Sequence, residues 1–177
     1  MLSNFKLYQS ETDSRGSAGH TTIKINNKNI PNAREYREVL THELGHTVDL
    51  GVITGKAKKL HNDYTEFNDI IRPVDDLSIP FYQISRINES TRKRNAGFKD
   101  FVSGYGMKGI YEDFAECHNL RVNHNLLFQK LAADNDALAQ KYGYFANLYR
   151  KQRFDDNPDS AAKISEMKRP WDTTRMR

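Results

Sequence analysis

A pair of histidines one helical turn apart, with a glutamate beside the first, is the feature that most constrains this chain. They lie in the run HELGH at residues 42–46. Four residues make just over one turn of α-helix, so His42 and His46 project from the same face about 6 Å apart, as a tetrahedral zinc ion requires of two nitrogen ligands. Glu43 is turned about 100° from His42. From there its carboxylate can take a proton from a metal-activated water and pass it to a leaving amine.

The residues around this run predict a well-bounded helix. Side chains of the buried face recur every three or four positions, on the face opposite the histidines: Tyr36, Leu40, Leu44 and Thr47 or Val48. Asn32 followed by Glu35 resembles a capping box, and Gly51 stands where a left-handed C-cap would be. The helix is therefore predicted over 33–50. The alternative is a surface helix with two ordinary histidines and a glutamate, which the capped amphipathic pattern makes less favoured.

A catalytic zinc site needs a third protein ligand and an open position for water. Residues 111–116, YEDFAE, open another predicted helix, on which Glu112 and Glu116 face the same way. Stacked carboxylates repel unless a cation lies beside them. Glu112 is therefore predicted to bind the metal, and Glu116 to accept the free N–H of His42 or His46. Taken alone, the two glutamates indicate only a solvated acidic face.

The two runs together, HELGH at 42–46 and EDFAE at 112–116, resemble the gluzincin metallopeptidases. The likeness is closest to the branch that contains the anthrax lethal factor catalytic domain and the Pro-Pro endopeptidases. It rests on residues 41–51 and 101–117, about a sixth of the chain. The resemblance implies a zinc-dependent endopeptidase in which Glu43 is the general base.

The resemblance also implies roles for residues outside the two runs. In that branch a tyrosine seven positions before the ligand glutamate donates a hydrogen bond to the transition state, and Tyr105 stands seven positions before Glu112. Asp49, three positions after the second histidine, is implied to be a structural carboxylate or an outer partner of the metal ligands. The cofactor implied is one Zn²⁺ per chain, held by His42, His46 and Glu112.

Two short strands are predicted before the helix. Residues 5–9 roughly alternate apolar and polar side chains, as a half-buried strand does. Residues 21–26 place Ile23 and Ile25 on one face and are predicted to form an edge strand. By resemblance to other zincins, an extended peptide or protein substrate would pair with this strand through main-chain hydrogen bonds. The polar residues of its other face would flank the cleft: Thr22, Lys24 and Asn26.

With 177 residues, the chain can form one ordinary domain. The predicted architecture is a single α+β, zincin-like domain over 1–153, with a small N-terminal sheet over the active-site helix and a mainly helical C-terminal half. The long spacing between the two motifs predicts an insertion at 56–98. Residues 154–177 are polar and basic and are predicted to form a tail on the surface.

Composition narrows the classes of partner. The net charge of +4 is concentrated in patches, chiefly at 82–108 and 168–177. No nucleic-acid-binding motif accompanies them, so solvated surfaces are favoured over a nucleic-acid interface. No window approaches 18 apolar residues, so no membrane span is predicted. No signal peptide is recognised, which favours a cytoplasmic protein or a trimmed secreted or toxin domain; the oligomeric state is not indicated.

Two alternatives to an enzyme stay open. One is a zinc-stabilised or catalytically inactive binding module whose basic patches hold an acidic partner; the other is a structural protein in which the motif is a coincidence.

The lone Cys117 excludes an internal disulfide and is expected to be a small core residue. The remaining histidines are expected to be surface or packing residues: His20, His61, His118 and His124.

Overall fold

The structure, a computed structural model, describes residues 2–54, 76–150 and 169–176. In these ranges the chain is a mixed α+β fold in which helices form the majority. The strands are β1 (Asn4–Tyr8), β2 (Gly16–Ala18) and β3 (Thr22–Asn26). The helices are α1 (Ala33–His46), α2 (Ile79–Ser85), α3 (Ile110–Asn123), α4 (Asn125–Ala133) and α5 (Asp136–Leu148).

The strands form one sheet in the order β1-β3-β2. β1 is parallel to β3, and β2 is antiparallel to it. The prediction of an edge strand at 21–26 is therefore wrong, because β3 is paired on both sides. Ile23 and Ile25 are fully buried against α1, as their alternation predicts. The strand predicted at 5–9 is present as β1, but it is not half-buried, since Phe5 and Leu7 are 46% and 52% exposed.

The polar face of β3 does not border the cleft as predicted. Asn26 is buried, and its side-chain amide donates hydrogen bonds to the carbonyls of Ser10 and Ser14 at 3.1 and 3.0 Å. It therefore holds the loop between β1 and β2. Among the described residues, the free edge of the sheet near α1 belongs to β2, for which no strand was predicted because its three residues, GSA, show no alternation.

Helix α1 begins as predicted and ends differently. The Oδ1 of Asn32 accepts a hydrogen bond from the Glu35 amide at 2.9 Å, which caps the helix. At the other end the helix continues into wider π-type turns over Thr47–Ile53, so the predicted cap at Gly51 is wrong. None of the described glycines has a positive φ. Gly51 instead allows a close approach, since a Cβ there would overlap the carbonyl oxygen of His20.

The helical C-terminal half is confirmed, with breaks at His124 and at residues 134–135. α3 is its centre: one side packs on α1, and the other contributes Phe114, Cys117 and Leu120 to a core shared with α2, α4 and α5. Cys117 is fully buried, as expected of a small core residue. The contact with α1 is very close at Gly45, where the absence of a side chain lets the two helices approach.

Gly45→Ala is expected to lower the free energy of unfolding by about 1–3 kcal/mol, because the new methyl group overpacks this contact. Its Cβ would lie 2.9 Å from Ala115 Cα and 3.1 Å from His118 Cβ. The matched control is Gly143→Ala in α5, where a Cβ meets nothing within 4 Å. That change should add about 0.5–1 kcal/mol of stability. Urea unfolding measures both, and a Gly45→Ala protein as stable as the parent would contradict the expectation.

The predicted insertion and tail each lie partly outside the described residues. Within the span 56–98, the part from residue 76 onward includes α2, whose Phe81 and Tyr82 are buried in the core. Within the span 154–177, residues 169–176 pack against the domain, and Thr173 is fully buried. None of the described helices has the length and apolar character needed to cross a membrane.

Candidate metal centre

The structure brings together the three residues predicted to bind a metal. Glu112 on α3 points its Oε2 at two imidazoles of α1, 3.2 Å from His42 Nε2 and 3.6 Å from His46 Nε2. One ligand atom from each of the three lies within 4.8 Å of the others. Ligand atoms at about 2.0–2.1 Å from a tetrahedral zinc ion stand about 3.3–3.4 Å apart. The distances from Glu112 Oε2 to the two imidazole nitrogens are close to this value, so the group is compatible with a bound metal ion.

The charges around His42 favour a cation at this point. Burial alone would lower the pKa of His42, but hydrogen bonds to Glu112 and Glu116 and the charges of Glu116 and Glu43 raise it to about 10. Burial would raise the pKa of Glu112, whereas its contacts with His42 and His46 lower it to about 2. The Oε2 of Glu112 is buried without a well-aligned hydrogen bond. A metal ion would satisfy the same electrostatic demand as the proton on His42.

The stability of the metal-free protein should therefore depend on pH at both ends. The pKa of His42 is raised from 6.5, so protonated His42 stabilises the fold fully below pH 6.5, and this contribution is lost as the pH rises towards about 10. The pKa of Glu112 is lowered from 4.5, so its contribution is present above pH 4.5 and is lost as the pH falls towards about 2. Urea unfolding with a chelator should give the highest midpoint between those two limits.

The matched comparison for this pH dependence is His42→Ala, which should lose most of the decline on the alkaline side. A parent protein whose urea midpoint stays constant from about pH 6.5 to about pH 9 would contradict the expectation.

Glu116 holds one of the two histidines in place. Its Oε1 lies 2.9 Å from His42 Nδ1, and its side chain is fully buried. Of the two histidines predicted as its partner, the structure pairs it with His42. Because Nδ1–H donates to this carboxylate, Nε2 is the nitrogen that faces Glu112, and loss of the proton from Nε2 gives the tautomer that binds a metal.

Glu43 lies beside the group and does not belong to it. Its side chain is buried, and Oε2 makes no hydrogen bond to any described residue. Burial raises the pKa of Glu43, opposed by the charges of His42 and His46 and assisted by that of Glu112. A buried carboxylate with a raised pKa and a free oxygen is suited to accept and return a proton.

No protein-family model, curated protein or solved structure matches this chain. The resemblance to gluzincins therefore stays a prediction from its two motifs, and the site has to be judged by its own geometry.

β2 sets the position of Glu43. A Cβ at Gly16 would overlap Oε1 of Glu43, so the backbone of this edge strand lies directly on the carboxylate. The sequence did not single out Gly16, because nothing in the local pattern shows that the loop returns to α1.

In a peptidase of the kind that the two motifs resemble, Gly16→Ala is expected to lower kcat by about 10- to 100-fold, because the added methyl group would push the Glu43 carboxylate out of its position. The affinity for zinc should stay within about twofold of the parent, since Glu43 is outside the ligand group. Gly19→Ala is the matched control: a Cβ there meets nothing within 4 Å, and its kcat should be unchanged. Steady-state kinetics on the zinc-loaded proteins would decide, and equal kcat for the two variants would contradict the expectation.

Tyr105 borders the same space. It begins a short 3₁₀ turn, Tyr105–Met107, and its ring centroid lies 6.0 Å from that of His42. Burial and the nearby charges of Glu112 and Asp172 raise the pKa of its phenol to about 12. The phenol is therefore protonated at neutral pH and available as a hydrogen-bond donor.

Two cavities share His42, Glu43 and Tyr105 in their linings. One, of about 280 Å³, is also lined by β2 and by Leu50 and Tyr111. The other, of about 200 Å³, is also lined by polar residues of the N-terminal loop and of the C-terminal segment. We call the two cavities together the groove.

Asp49 lies behind the site. It is fully buried and accepts hydrogen bonds from Ser78 Oγ and Tyr82 OH. These hydrogen bonds connect the turns after α1 to α2. Of the two roles predicted for Asp49, a structural carboxylate is therefore favoured over an outer partner of the metal ligands.

The other histidines differ in their surroundings. His118 is buried between α1 and the aromatic side chains of α5, and its Nδ1 lies 3.0 Å from the carbonyl oxygen of Thr41. Burial lowers the pKa of His118 to about 4, despite that contact. His124 is buried against Glu38. Both are packing residues, whereas His20 is exposed and His61 lies outside the described residues.

Sequence reasoning missed a buried ion pair under the site. Lys141 is fully buried, and its Nζ lies 2.7 Å from Oδ2 of Asp113. It also donates to the carbonyl oxygen of Asp100 at 2.8 Å. Asp113 follows Glu112 directly, so this pair anchors α3 to α5 next to the candidate ligand. The pair could not be predicted, because Lys141 is 28 positions away from Asp113 in the sequence.

Proposed function

We propose that the protein is a zinc-dependent endopeptidase with a zincin-like fold. The observation that carries the proposal is the approach of Glu112 to His42 and His46, at 3.2 and 3.6 Å, from a helix 66 positions further along the chain. Independent helices have no general reason to place three such groups at the spacing of zinc ligands. The buried Oε2 of Glu112, without an aligned partner, supports the same reading.

Each residue of the site then has a distinct task. His42, His46 and Glu112 would hold the ion, which supplies an activated water and polarises the carbonyl of a bound peptide. Glu43 accepts the proton released when water attacks and returns it to the leaving amine. Tyr105 donates its phenol hydrogen to the oxygen on which negative charge develops.

The substrate is an extended peptide or protein segment. β2 has a free edge on the side of the groove, and its backbone can pair with such a segment as an added strand. This edge replaces the one predicted at β3. Because Gly16 touches Glu43, pairing along β2 would bring a peptide carbonyl close to the proton acceptor.

An alternative with zinc in a purely structural role fits less well. Structural zinc sites usually have four protein ligands, whereas the described group has three and opens into a groove. Of the six basic residues at 82–108, five are exposed and stay available to an acidic partner. Arg86 is buried and donates to the carbonyl oxygen of Met107 at 2.7 Å.

The proposal is tested by metal content and cleavage. Protein stripped with a chelator and dialysed against zinc should retain about one ion per chain. A library of unstructured peptides should be cleaved by the zinc-loaded protein and spared by the stripped one. Failure to bind zinc in stoichiometric amount would refute the proposal, whereas bound zinc without cleavage of any peptide would favour the binding module.

A further inference from the structure

The C-terminal segment, residues 170–174, returns to the metal centre. The carbonyl oxygen of Trp171 accepts a hydrogen bond from the Tyr105 amide at 2.7 Å, and that of Pro170 accepts one from the Gly104 amide at 3.2 Å. The amide of Thr173 donates to Oε2 of Glu116 at 2.8 Å. The segment therefore contacts both the candidate hydrogen-bond donor and the carboxylate that holds His42.

Thr173 is built into this position. It is fully buried, and its Oγ1 accepts a hydrogen bond from Asn119 Nδ2 at 3.0 Å. It is the first residue of a 3₁₀ turn, Thr173–Arg175, whose N-cap is Asp172. The first amide of such a turn has no partner within the turn, so it is free to donate elsewhere. Here it donates to a carboxylate that is itself fully buried.

Asp172 fixes the segment from the other side. Its Oδ1 accepts from the Thr174 amide at 2.8 Å, and its Oδ2 pairs with Arg15. Arg15 directly precedes β2 and also pairs with Glu35 of α1 at 2.7 Å. The segment is thus held between the sheet and α1 while it presents one amide to Glu116.

We propose that the backbone amide of Thr173 is a positioning group of the metal centre. It holds Oε2 of Glu116, so that Oε1 of the same carboxylate accepts from Nδ1 of His42 and Nε2 faces Glu112. Without that amide, His42 Nδ1 would be the donor left to the buried Glu116 carboxylate. Both carboxylate oxygens could then compete for the same N–H, so the carboxylate would rotate and the orientation of the imidazole would be less well defined. This inference rests on the proposed zinc site and adds to it a group from a segment predicted only as a tail.

The test is Thr173→Pro against Thr173→Val. Both variants lose Oγ1, but only proline lacks the amide hydrogen. Asp172, with φ −145° and ψ 121°, is in the extended region that tolerates a following proline. The Kd for zinc, measured by competition with a chromogenic chelator, should rise about 10- to 100-fold for Thr173→Pro and stay within about twofold of the parent for Thr173→Val. The visible absorption of the Co²⁺-loaded protein should change in the proline variant alone.

The outcomes separate this inference from the proposed function. A parent that binds no zinc refutes the proposed function. A parent that binds zinc, with equal Kd for the proline and valine variants, refutes the positioning role. Circular dichroism of the metal-free proteins checks folding. If the proline variant does not fold, replacement of the Thr173 amide by an ester decides, because it removes only the N–H and leaves the side chain, Glu116 and all three ligands intact; an unchanged Kd in that protein would also refute the role.

Discussion

Replacement of Glu43 by glutamine is expected to leave zinc bound and to lower kcat by about 10²- to 10⁴-fold. The amide has nearly the same shape as the carboxylate but cannot accept a proton. Little structural cost is expected, because Oε2 makes no hydrogen bond to the described residues and the burial of a charge is relieved. Zinc content, peptide cleavage rate and thermal midpoint of the purified variant measure the three expectations.

Glu38→Gln is the matched control for this change. Glu38 lies on the same helix and is as deeply buried, but it contacts His124 and Arg34 instead of the metal centre. Its replacement should reduce stability and leave kcat within about twofold of the parent. A Glu43→Gln protein that retains both its zinc and full activity would show that another group is the base.

Removal of a candidate ligand should abolish tight zinc binding. Glu112→Ala and His42→Ala are each expected to weaken the affinity for zinc by more than about 100-fold, since loss of an outer partner alone costs about 10- to 100-fold. Both variants should lose activity in the same proportion at limiting zinc. The expectation follows from the distances that join Glu112 Oε2 to the two imidazoles.

His124→Ala serves as the control for the histidine variant. It removes a buried imidazole that is paired with Glu38, away from the candidate ligands, so it should cost stability without affecting zinc. Metal analysis after gel filtration and chelator competition would measure all three proteins. Parent-like affinity in either ligand variant would contradict the three-ligand site.

Several parts of the structure were predictable because they depend on short-range periodicity. The apolar repeat and Asn32 define the start of α1, and four-residue spacing places His42 and His46 on one face. The same rule places Glu112 and Glu116 on one face of α3. These relations are set by backbone geometry within one or two helical turns.

Other parts depended on contacts between distant segments. The edge strand proved to be β2, because strand order follows from pairing with segments far along the chain and not from alternation within one strand. Gly51 was predicted to be a left-handed helix cap, but instead its lack of a side chain allows the backbone of His20 to approach closely. The roles of Gly45 and Gly16 likewise arise from a neighbouring helix or carboxylate that no local pattern identifies.

The sequence by itself thus determined the α+β class, the capped helix and the set of residue types that can bind zinc. Only the tertiary structure decided that Glu112 reaches the two histidines, that Glu116 pairs with His42, and that the Thr173 amide donates to Glu116. The physical reason is range: dihedral preferences and side-chain periodicity act over a few residues, whereas a site is assembled by packing between segments that are far apart in the chain.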